Sequence, residues 1–194
     1  MKNKSTLFVG IAIGALVVGG FYLMSLSNPA SRGATGGSAS VKAGDPAPQF
    51  SLQDRNGVTY SNESLKGKNV VLFFNEGIMC YPACWNQMVS LAQDARFNTT
   101  DTAAFSVVVD PSSSWQGAIQ KMPELGYAKV LFDTDKSVSR NYGMLTMNSS
   151  MHFGSLPGHS FVVIDKQGTV RYIFDDPNMA IDNDRVFAEV QKLN

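Results

Sequence analysis

The chain has 194 residues, with sixteen Lys and Arg against sixteen Asp and Glu, and only two cysteines. All sixteen acidic residues lie after Gly44, where they face twelve basic residues, so this part carries a net charge near −4. An acidic domain without a basic stripe argues against a nucleic-acid partner. The 150 residues from Asp45 to Asn194 are the size of one ordinary domain.

An apolar run near the N-terminus predicts a membrane anchor. Residues 7–26 read LFVGIAIGALVVGGFYLMSL, and a helix of about 20 such residues spans the roughly 30 Å hydrocarbon core of a bilayer. Lys2 and Lys4 precede the run, so the positive-inside rule keeps residues 1–6 in the cytoplasm. The run is longer than an ordinary signal-peptide core and no clear A-x-A site follows, which favours an uncleaved signal-anchor. We therefore predict a single-pass protein of a prokaryotic cell membrane, with its domain on the extracytoplasmic side.

Residues 27–44 separate this anchor from the domain. They read SNPASRGATGGSASVKAG, rich in Gly, Ser and Ala and poor in large apolar side chains. Such a segment buries too little surface to order itself, so the pattern predicts a flexible linker followed by a folded domain at 45–194.

Within the domain, strand patterns and helix patterns alternate along the chain. A hairpin turning at Asn56-Gly57 comes first, and continuous apolar runs at 68–75 and 103–110 then indicate buried strands. The remaining predicted elements are helices in WNQMVSLAQDA and SSWQGAIQKMPELG, a strand in KVLFD, a helix in KSVSRNYGM, a hairpin in HSFVVIDKQGTVRYIF and a helix in AIDNDRVFAEVQKL. This order predicts an α/β fold with a central, mostly parallel sheet flanked by helices and extended by antiparallel edge strands.

Both cysteines, Cys80 and Cys84, follow the strand at 68–75. A purely structural disulfide between them would close a loop of three residues, which constrains the unfolded chain little. Ligands and chemistry collect at the carboxyl ends of strands in such sheets. The position therefore favours redox chemistry or metal binding over a structural role.

The residues around the cysteines indicate that the two thiols have different roles. Pro82 suits the first turn of a helix, which would place Cys80 at or just before the N-cap. A thiolate there meets unpaired backbone N–H groups and the positive end of the helix dipole, which lowers the thiol pKa. Cys84 would lie one turn deeper, with its Cα about 6 Å away, within reach of a disulfide. We predict that Cys80 is the nucleophile and Cys84 the resolving thiol. Glu76 could move protons if it is buried, although a solvated loop carboxylate is the simpler interpretation.

Four stretches carry a resemblance to a known superfamily: GDPAPQFSLQDRNGVTYSNESLKGKNVVLFF, the cysteine turn, VLFDTDKSVSRNYGM and SFVVIDKQGTVRYIF. Together they resemble the thioredoxin-like redoxin superfamily, in particular the alkyl hydroperoxide reductase/thiol-specific antioxidant (AhpC/TSA) group and membrane-tethered thioredoxins. The resemblance covers nearly all of residues 44–194. It implies a thioredoxin-like fold, a redox-active cysteine pair and no organic cofactor.

The cysteine motif departs from each subgroup of this superfamily. Thioredoxin-type reductases use C-x-x-C and bind clients at a cis-proline before the last hairpin, which here would be Pro157 or, without gaps, the position of His159. Peroxiredoxins carry P-x-x-x-T-x-x-C, and neither cysteine has that motif. Sco-type copper chaperones use C-x-x-x-C with a distant histidine, so an alternative copper site would comprise Cys80, Cys84 and His159.

These comparisons lead to one preferred function and two alternatives. The preferred function is a membrane-anchored thiol–disulfide oxidoreductase with Cys80 and Cys84 as catalytic residues and Pro157 and His159 as substrate-binding residues. Its expected partners are a protein thiol or disulfide client and a membrane redox partner, and it requires no cofactor. The alternatives are an antioxidant thiol peroxidase and a copper-binding chaperone.

Overall fold

The structure of the protein is a computed structural model, and it describes residues 40–193. The predicted cytoplasmic N-terminus, the predicted anchor at 7–26 and most of the predicted linker lie outside the described residues. Within residues 40–193, no helix combines the length and apolar character needed to cross a membrane.

Within residues 40–193, seven strands form one sheet. Their bounds are β1 (Ser51–Gln53), β2 (Thr59–Ser61), β3 (Asn69–Phe74), β4 (Thr102–Val108), β5 (Val130–Phe132), β6 (Ser160–Ile164) and β7 (Val170–Asp175). They lie in the order β2-β1-β5-β4-β3-β6-β7. The central strand β3 is buried along its whole length, as its continuous apolar run predicts.

The sheet is mixed, as the parallel centre and antiparallel edges of the prediction imply, but antiparallel pairs outnumber parallel ones, so the prediction that it is mostly parallel is wrong. The pairs β3–β4 and β4–β5 are parallel, whereas β1–β2, β1–β5, β3–β6 and β6–β7 are antiparallel. Both hairpins join the parallel centre through antiparallel pairs. The N-terminal hairpin attaches to β5 through Gln53 and Phe132, a non-local pairing that hydrophobic periodicity does not report.

In the described part of the chain, four α-helices pack on the sheet: α1 (Ala83–Gln93), α2 (Trp115–Lys121), α3 (Ser137–Asn141) and α4 (Asn183–Gln191). The helix predicted over SSWQGAIQKMPELG is shorter than expected, because it ends before Pro123 and the chain continues as a 3-10 turn, Pro123–Tyr127. The residue before a proline is pushed out of helical conformation, and Met122 is accordingly extended, with φ −137° and ψ 90°.

The side chains on the two faces of β3 belong to two different hydrophobic clusters. Val71 and Phe73 point to the cluster that contains both cysteines and residues of α1, α2 and α4. Val70, Leu72 and Phe74 point to the opposite cluster, which includes the N-terminal hairpin and α3. The sheet is therefore covered on both faces, as predicted, and the cysteines belong to one specific face.

The folded part begins before the predicted boundary at Asp45. Val41 is buried in the second cluster, and the Gly44 N–H donates to the Val170 carbonyl at 2.8 Å. The last few residues of the predicted flexible linker, from residue 40, thus pack on the domain.

Candidate functional site

Cys80 and Cys84 form a disulfide at the carboxyl end of β3. A 3-10 turn, Gly77–Met79, leads from the strand to Cys80, and α1 begins three residues after it. Their Cα atoms are 5.3 Å apart, and the Cys84 N–H donates to the Cys80 carbonyl at 3.0 Å. The pair can therefore close the bridge that its spacing predicts.

The helix start differs from the sequence prediction. Pro82 is the N-cap residue of α1, and Cys80 lies two residues before it. Cys84 is the second residue of the helix. Cys84 therefore occupies the first turn, at the positive end of the helix dipole, and Cys80 lies just outside it.

Both sulfur-bearing residues are buried, Cys80 with 3% and Cys84 with 1% exposure. The Met179 Sδ lies 3.9 Å from the Cys80 Sγ and covers it. The neighbours of Cys80 are open to solvent, since Met79 is 59% and Tyr81 50% exposed. The bridge is thus recessed behind an exposed apolar rim.

Gly77 and Asp110 hold the turn that carries Cys80. Gly77 has φ +60°, and a Cβ at this position would overlap the Asp110 carboxylate. The Ile78 N–H donates to Asp110 Oδ2 at 3.1 Å, and the indole N–H of Trp85 donates to the Gly77 carbonyl at 3.1 Å. Burial raises the pKa of Asp110. The turn is therefore fixed to the end of β4 and to α1.

His159 lies directly against the disulfide. It immediately precedes β6 and is buried, and its Nδ1 lies 3.5 Å from the Cys84 Sγ. The Phe73 ring packs against it edge-on, with centroids 4.6 Å apart. Burial lowers the pKa of His159 to about 4, partly opposed by the charge of Asp176. The imidazole is therefore neutral near pH 7 in this form. In the sequence, His159 stands just before the first strand of the last hairpin. The pairing of β3 with β6 brings it to the cysteines.

Pro157 does not hold the position that the sequence predicts for a cis-proline. Among the described residues the cis peptide bond is Tyr81-Pro82, so the Leu156-Pro157 bond is trans. The prediction of a cis-proline at Pro157 is therefore wrong. His159, two residues later, takes the place against the cysteines. The client-binding role of Pro157 stays a prediction.

The segment that bears Met179 is held by buried polar groups that sequence reasoning missed. Asp176 accepts the N–H groups of Asn178 and Ala180 at 3.0 and 2.7 Å. Gln87 of α1 accepts the Asp182 N–H at 2.8 Å and donates to Asn183 Oδ1 at 2.8 Å. No local signal identifies these partners, because about 95 residues separate Gln87 from Asp182 and Asn183.

Glu76 is a buried carboxylate, not the solvated loop residue of the simpler sequence interpretation. It is 1% exposed and lies next to the 3-10 turn before Cys80. One oxygen accepts the His152 N–H at 3.0 Å and the Ser150 hydroxyl at 3.2 Å, and the other lies 3.0 Å from His152 Nδ1. Glu76 thereby fastens the segment around residues 150–152 to the cysteine turn.

The alternative copper site brings the right residue types together but not in ligating form. The side-chain donor atoms of Cys80, Cys84 and His159 lie within 4.8 Å of one another. The two sulfurs are bonded to each other, however, and it is the thiolate that ligates a metal. The geometry is that of a redox pair beside an imidazole.

Solved structures share this fold. A mitochondrial 2-Cys peroxiredoxin from Plasmodium falciparum matches with a TM-score of 0.64 and 21% identity, covering 78% of this chain and 93% of that one. A putative protein disulfide isomerase from Bacteroides thetaiotaomicron matches with a TM-score of 0.60 and 17% identity, covering 79% and 90%. The architecture is therefore thioredoxin-like, of the kind seen in peroxiredoxins, with a bridged cysteine pair at the end of its central strand.

The chain belongs to the Redoxin family, whose model matches residues 42–189. Among curated relatives, chloroplastic peroxiredoxin Q of Gentiana triflora is 31% identical over 139 residues, and that of Suaeda salsa is 30% identical over 139 residues. These alignments cover 71% of this chain but 61% and 62% of the two relatives. The chain thus spans about three-fifths of the length of these relatives.

Proposed function

We propose that the protein is a thiol–disulfide oxidoreductase that works through the Cys80–Cys84 couple. The observation that carries the proposal is the bridge itself, closed at the end of β3 with His159 Nδ1 3.5 Å from the Cys84 Sγ. A staple across three residues contributes little stability, whereas a bridge that an adjacent imidazole can help to open and close is suited to exchange. The reaction runs on protein thiols alone and requires no cofactor.

Cys80 is the attacking thiol in this mechanism. Exposed side chains flank it, whereas Cys84 lies inside the first turn of α1 against His159. The Cys80 thiolate attacks one sulfur of a client disulfide, which breaks the client S–S bond, forms a mixed disulfide and releases a client thiolate. Cys84 then attacks the Cys80 sulfur, releases the second client thiol and closes the bridge. The client gains two electrons and the cysteine pair loses two, which a membrane redox partner returns.

The client must approach over the exposed rim. Met79 and Tyr81 present apolar surface on either side of Cys80, and the Lys121 ammonium lies 3.5 Å from the Tyr81 ring centroid. Because Met179 covers the Cys80 sulfur, the side chain of Met179 has to move before a client sulfur can reach it in line. A protein client that presents an apolar segment beside its disulfide fits this rim.

Insulin reduction by the full chain tests the proposal. With dithiothreitol as electron donor, the wild-type protein should accelerate insulin precipitation, and Cys80→Ser should abolish the acceleration. Cys84→Ser should instead accumulate a mixed disulfide with insulin, because Cys80 attacks but nothing resolves the product. Equal rates with and without the wild-type protein would refute the proposal.

Peroxide reduction is a second candidate, favoured by the relatives, which are peroxiredoxins by name. The P-x-x-x-T-x-x-C motif is missing, since Gly77 stands three residues before Cys80 where the threonine would be. Rapid consumption of hydrogen peroxide, with a sulfenic acid trapped on Cys80 in Cys84→Ser, would favour the peroxidase over the disulfide reductase.

The proposal includes the location of the domain outside a prokaryotic cell membrane. Its support is the uncharged apolar run at 7–26 behind Lys2 and Lys4. The full chain should stay in the membrane fraction after alkaline carbonate washing, and protease added to spheroplasts should digest the domain. Release by carbonate would contradict the anchor, and a domain protected from the protease would contradict the orientation.

A further inference from the structure

His159 lies between the cysteine pair and two buried carboxyl groups. Its Nδ1 faces the Cys84 Sγ at 3.5 Å. Ligating atoms of His159, Asp176 and Asp182 also lie within 4.8 Å of one another. All three residues are buried, and the two aspartates lie in the segment that leads from β7 to α4. The cysteine pair, the imidazole and the two carboxyl groups thus form one buried cluster.

The imidazole has an unused nitrogen. Within the described part of the chain, His159 Nε2 and Asp182 Oδ2 are buried without a hydrogen-bond partner. Leaving such atoms unpaired is unfavourable, so their retention next to a cysteine pair calls for a functional explanation. The ring therefore has one nitrogen beside the Cys84 sulfur and one without a settled bond, an arrangement suited to a proton that moves.

The two aspartates differ in charge. The backbone N–H groups that Asp176 accepts lower its pKa, although burial opposes them, whereas burial and the neighbouring Asp176 raise the pKa of Asp182. Asp176 therefore keeps its negative charge to lower pH than Asp182 does. Asp182 Oδ1 also lies 3.2 Å from Arg185 Nε, whose side chain is 56% exposed. Asp175 of β7 is the other acidic group that acts on His159.

We propose that His159 is the proton acceptor for the Cys84 thiol, and that Asp176 is the positioning residue that stabilises the imidazolium. This assignment deepens the proposed oxidoreductase function and rests on it. The neutral imidazole offers a free Nδ1 lone pair to Cys84 when its proton is on Nε2. A buried imidazolium would be unfavourable alone, and the Asp176 charge offsets that cost.

The proton balances across one resolving step. In the mixed disulfide, the Cys84 S–H proton passes to His159 Nδ1 as the Cys84 sulfur attacks the Cys80 sulfur. The bond between Cys80 and the client breaks, and the client sulfur leaves with the electron pair. The client thiolate then takes the proton from the imidazolium or from solvent, which returns His159 to its neutral form.

Reaction of the reduced full chain with excess 5,5′-dithiobis(2-nitrobenzoate) separates the two thiols. Attack by Cys80 releases the first chromophore, and resolution by Cys84 releases the second. In the wild type, the second phase should stay fast down to about pH 6, well below the ordinary thiol pKa of about 8.5. His159→Gln should slow the second phase about 100-fold at pH 7 and make its rate follow an ordinary thiol titration. The first phase should stay unchanged.

Asp176→Asn keeps the imidazole in place and should slow the second phase roughly tenfold, again more at low pH than at high pH. Asp184→Asn, at an exposed acidic side chain of α4, is the matched control and should change neither phase.

A wild-type second phase that titrates near pH 8.5 would overturn the assignment without any variant. Equal slowing of both phases at every pH in His159→Gln would also overturn it, because it indicates a structural role. Absence of the first phase in the wild type would instead refute the oxidoreductase function itself.

Discussion

Met179 covers the Cys80 sulfur although it lies 99 residues further along the chain. Reduction of a disulfide depends on access to the attacked sulfur. We expect Met179→Ala to be reduced several-fold faster than the wild type by a water-soluble phosphine, measured by thiol release over time. Met151→Ala, at a side chain that is 61% exposed, is the control and should not change the rate. An unchanged rate in a folded Met179→Ala protein would show that the thioether does not limit access.

Gly77 is required by both its backbone angle and its surroundings. Its φ of +60° is strained for any side chain, and a Cβ would overlap Asp110. We expect Gly77→Ala to lower the free energy of unfolding in urea by more than about 1–2 kcal/mol, the cost of the left-handed backbone alone. Gly117→Ala is a matched control in α2, with nothing within 4 Å, and should raise stability by about 0.5–1 kcal/mol. Equal effects at both glycines would contradict this account.

Some site residues could be predicted from the sequence and others could not. The spacing of Cys80 and Cys84 after a buried strand predicts their role, and the place of His159 before the last hairpin predicts its own. Met179 and Gln87 carry no such signal, because the segment before α4 comes near Cys80 and α1 only in the folded chain. Burial of Glu76 likewise depends on a segment some 75 residues away.

At the scale of elements, Gln87 connects the helix of the cysteine pair to the start of α4. Its buried amide is bonded to the Asp182 N–H and to Asn183 Oδ1. Gln87→Ala leaves both without this partner, so we expect a loss of roughly 2 kcal/mol or more in the free energy of unfolding. Gln93→Ala, an exposed position of the same helix, should change stability by less than about 0.5 kcal/mol. A similar small change at Gln87 would show that the connection contributes little.

Most elements follow from local pattern. The strands at β3 and β4, both hairpins and the helices α1 and α4 lie where apolar periodicity and turn residues predict them. The helix after β4 ends before Pro123, because proline restricts the conformation of the residue before it. The proline is visible in the sequence, but the prediction followed the apolar periodicity that continues past it.

For the whole molecule, strand direction was the part that the sequence did not determine. The parallel centre follows from the alternation of strands and helices, but the attachment of β1 to β5 depends on a contact between residues 79 positions apart, Gln53 and Phe132. Hydrophobic pattern specifies which face of a strand is buried, not which neighbour it pairs with.

The buried His159 makes the stability of the oxidised protein depend on pH. Its pKa is about 4 in the folded state and about 6.5 in the unfolded chain. The unfolded state therefore binds more protons between these values, so the contribution of His159 is fully present above pH 6.5 and is lost as the pH falls toward 4. We expect the free energy of unfolding in urea to fall more between pH 7 and pH 5 for the wild type than for His159→Gln. Parallel pH profiles for the two proteins would contradict a buried neutral imidazole.

The reduction potential of the Cys80–Cys84 pair tests the central claim most directly. It can be measured in the full chain by equilibration with glutathione redox buffers and alkylation of the free thiols. A pair that exchanges electrons with protein thiols should have a potential between about −270 and −120 mV, the range of thioredoxin-type exchange proteins. A potential well below about −300 mV would mark the bridge as an inert structural disulfide and contradict the account.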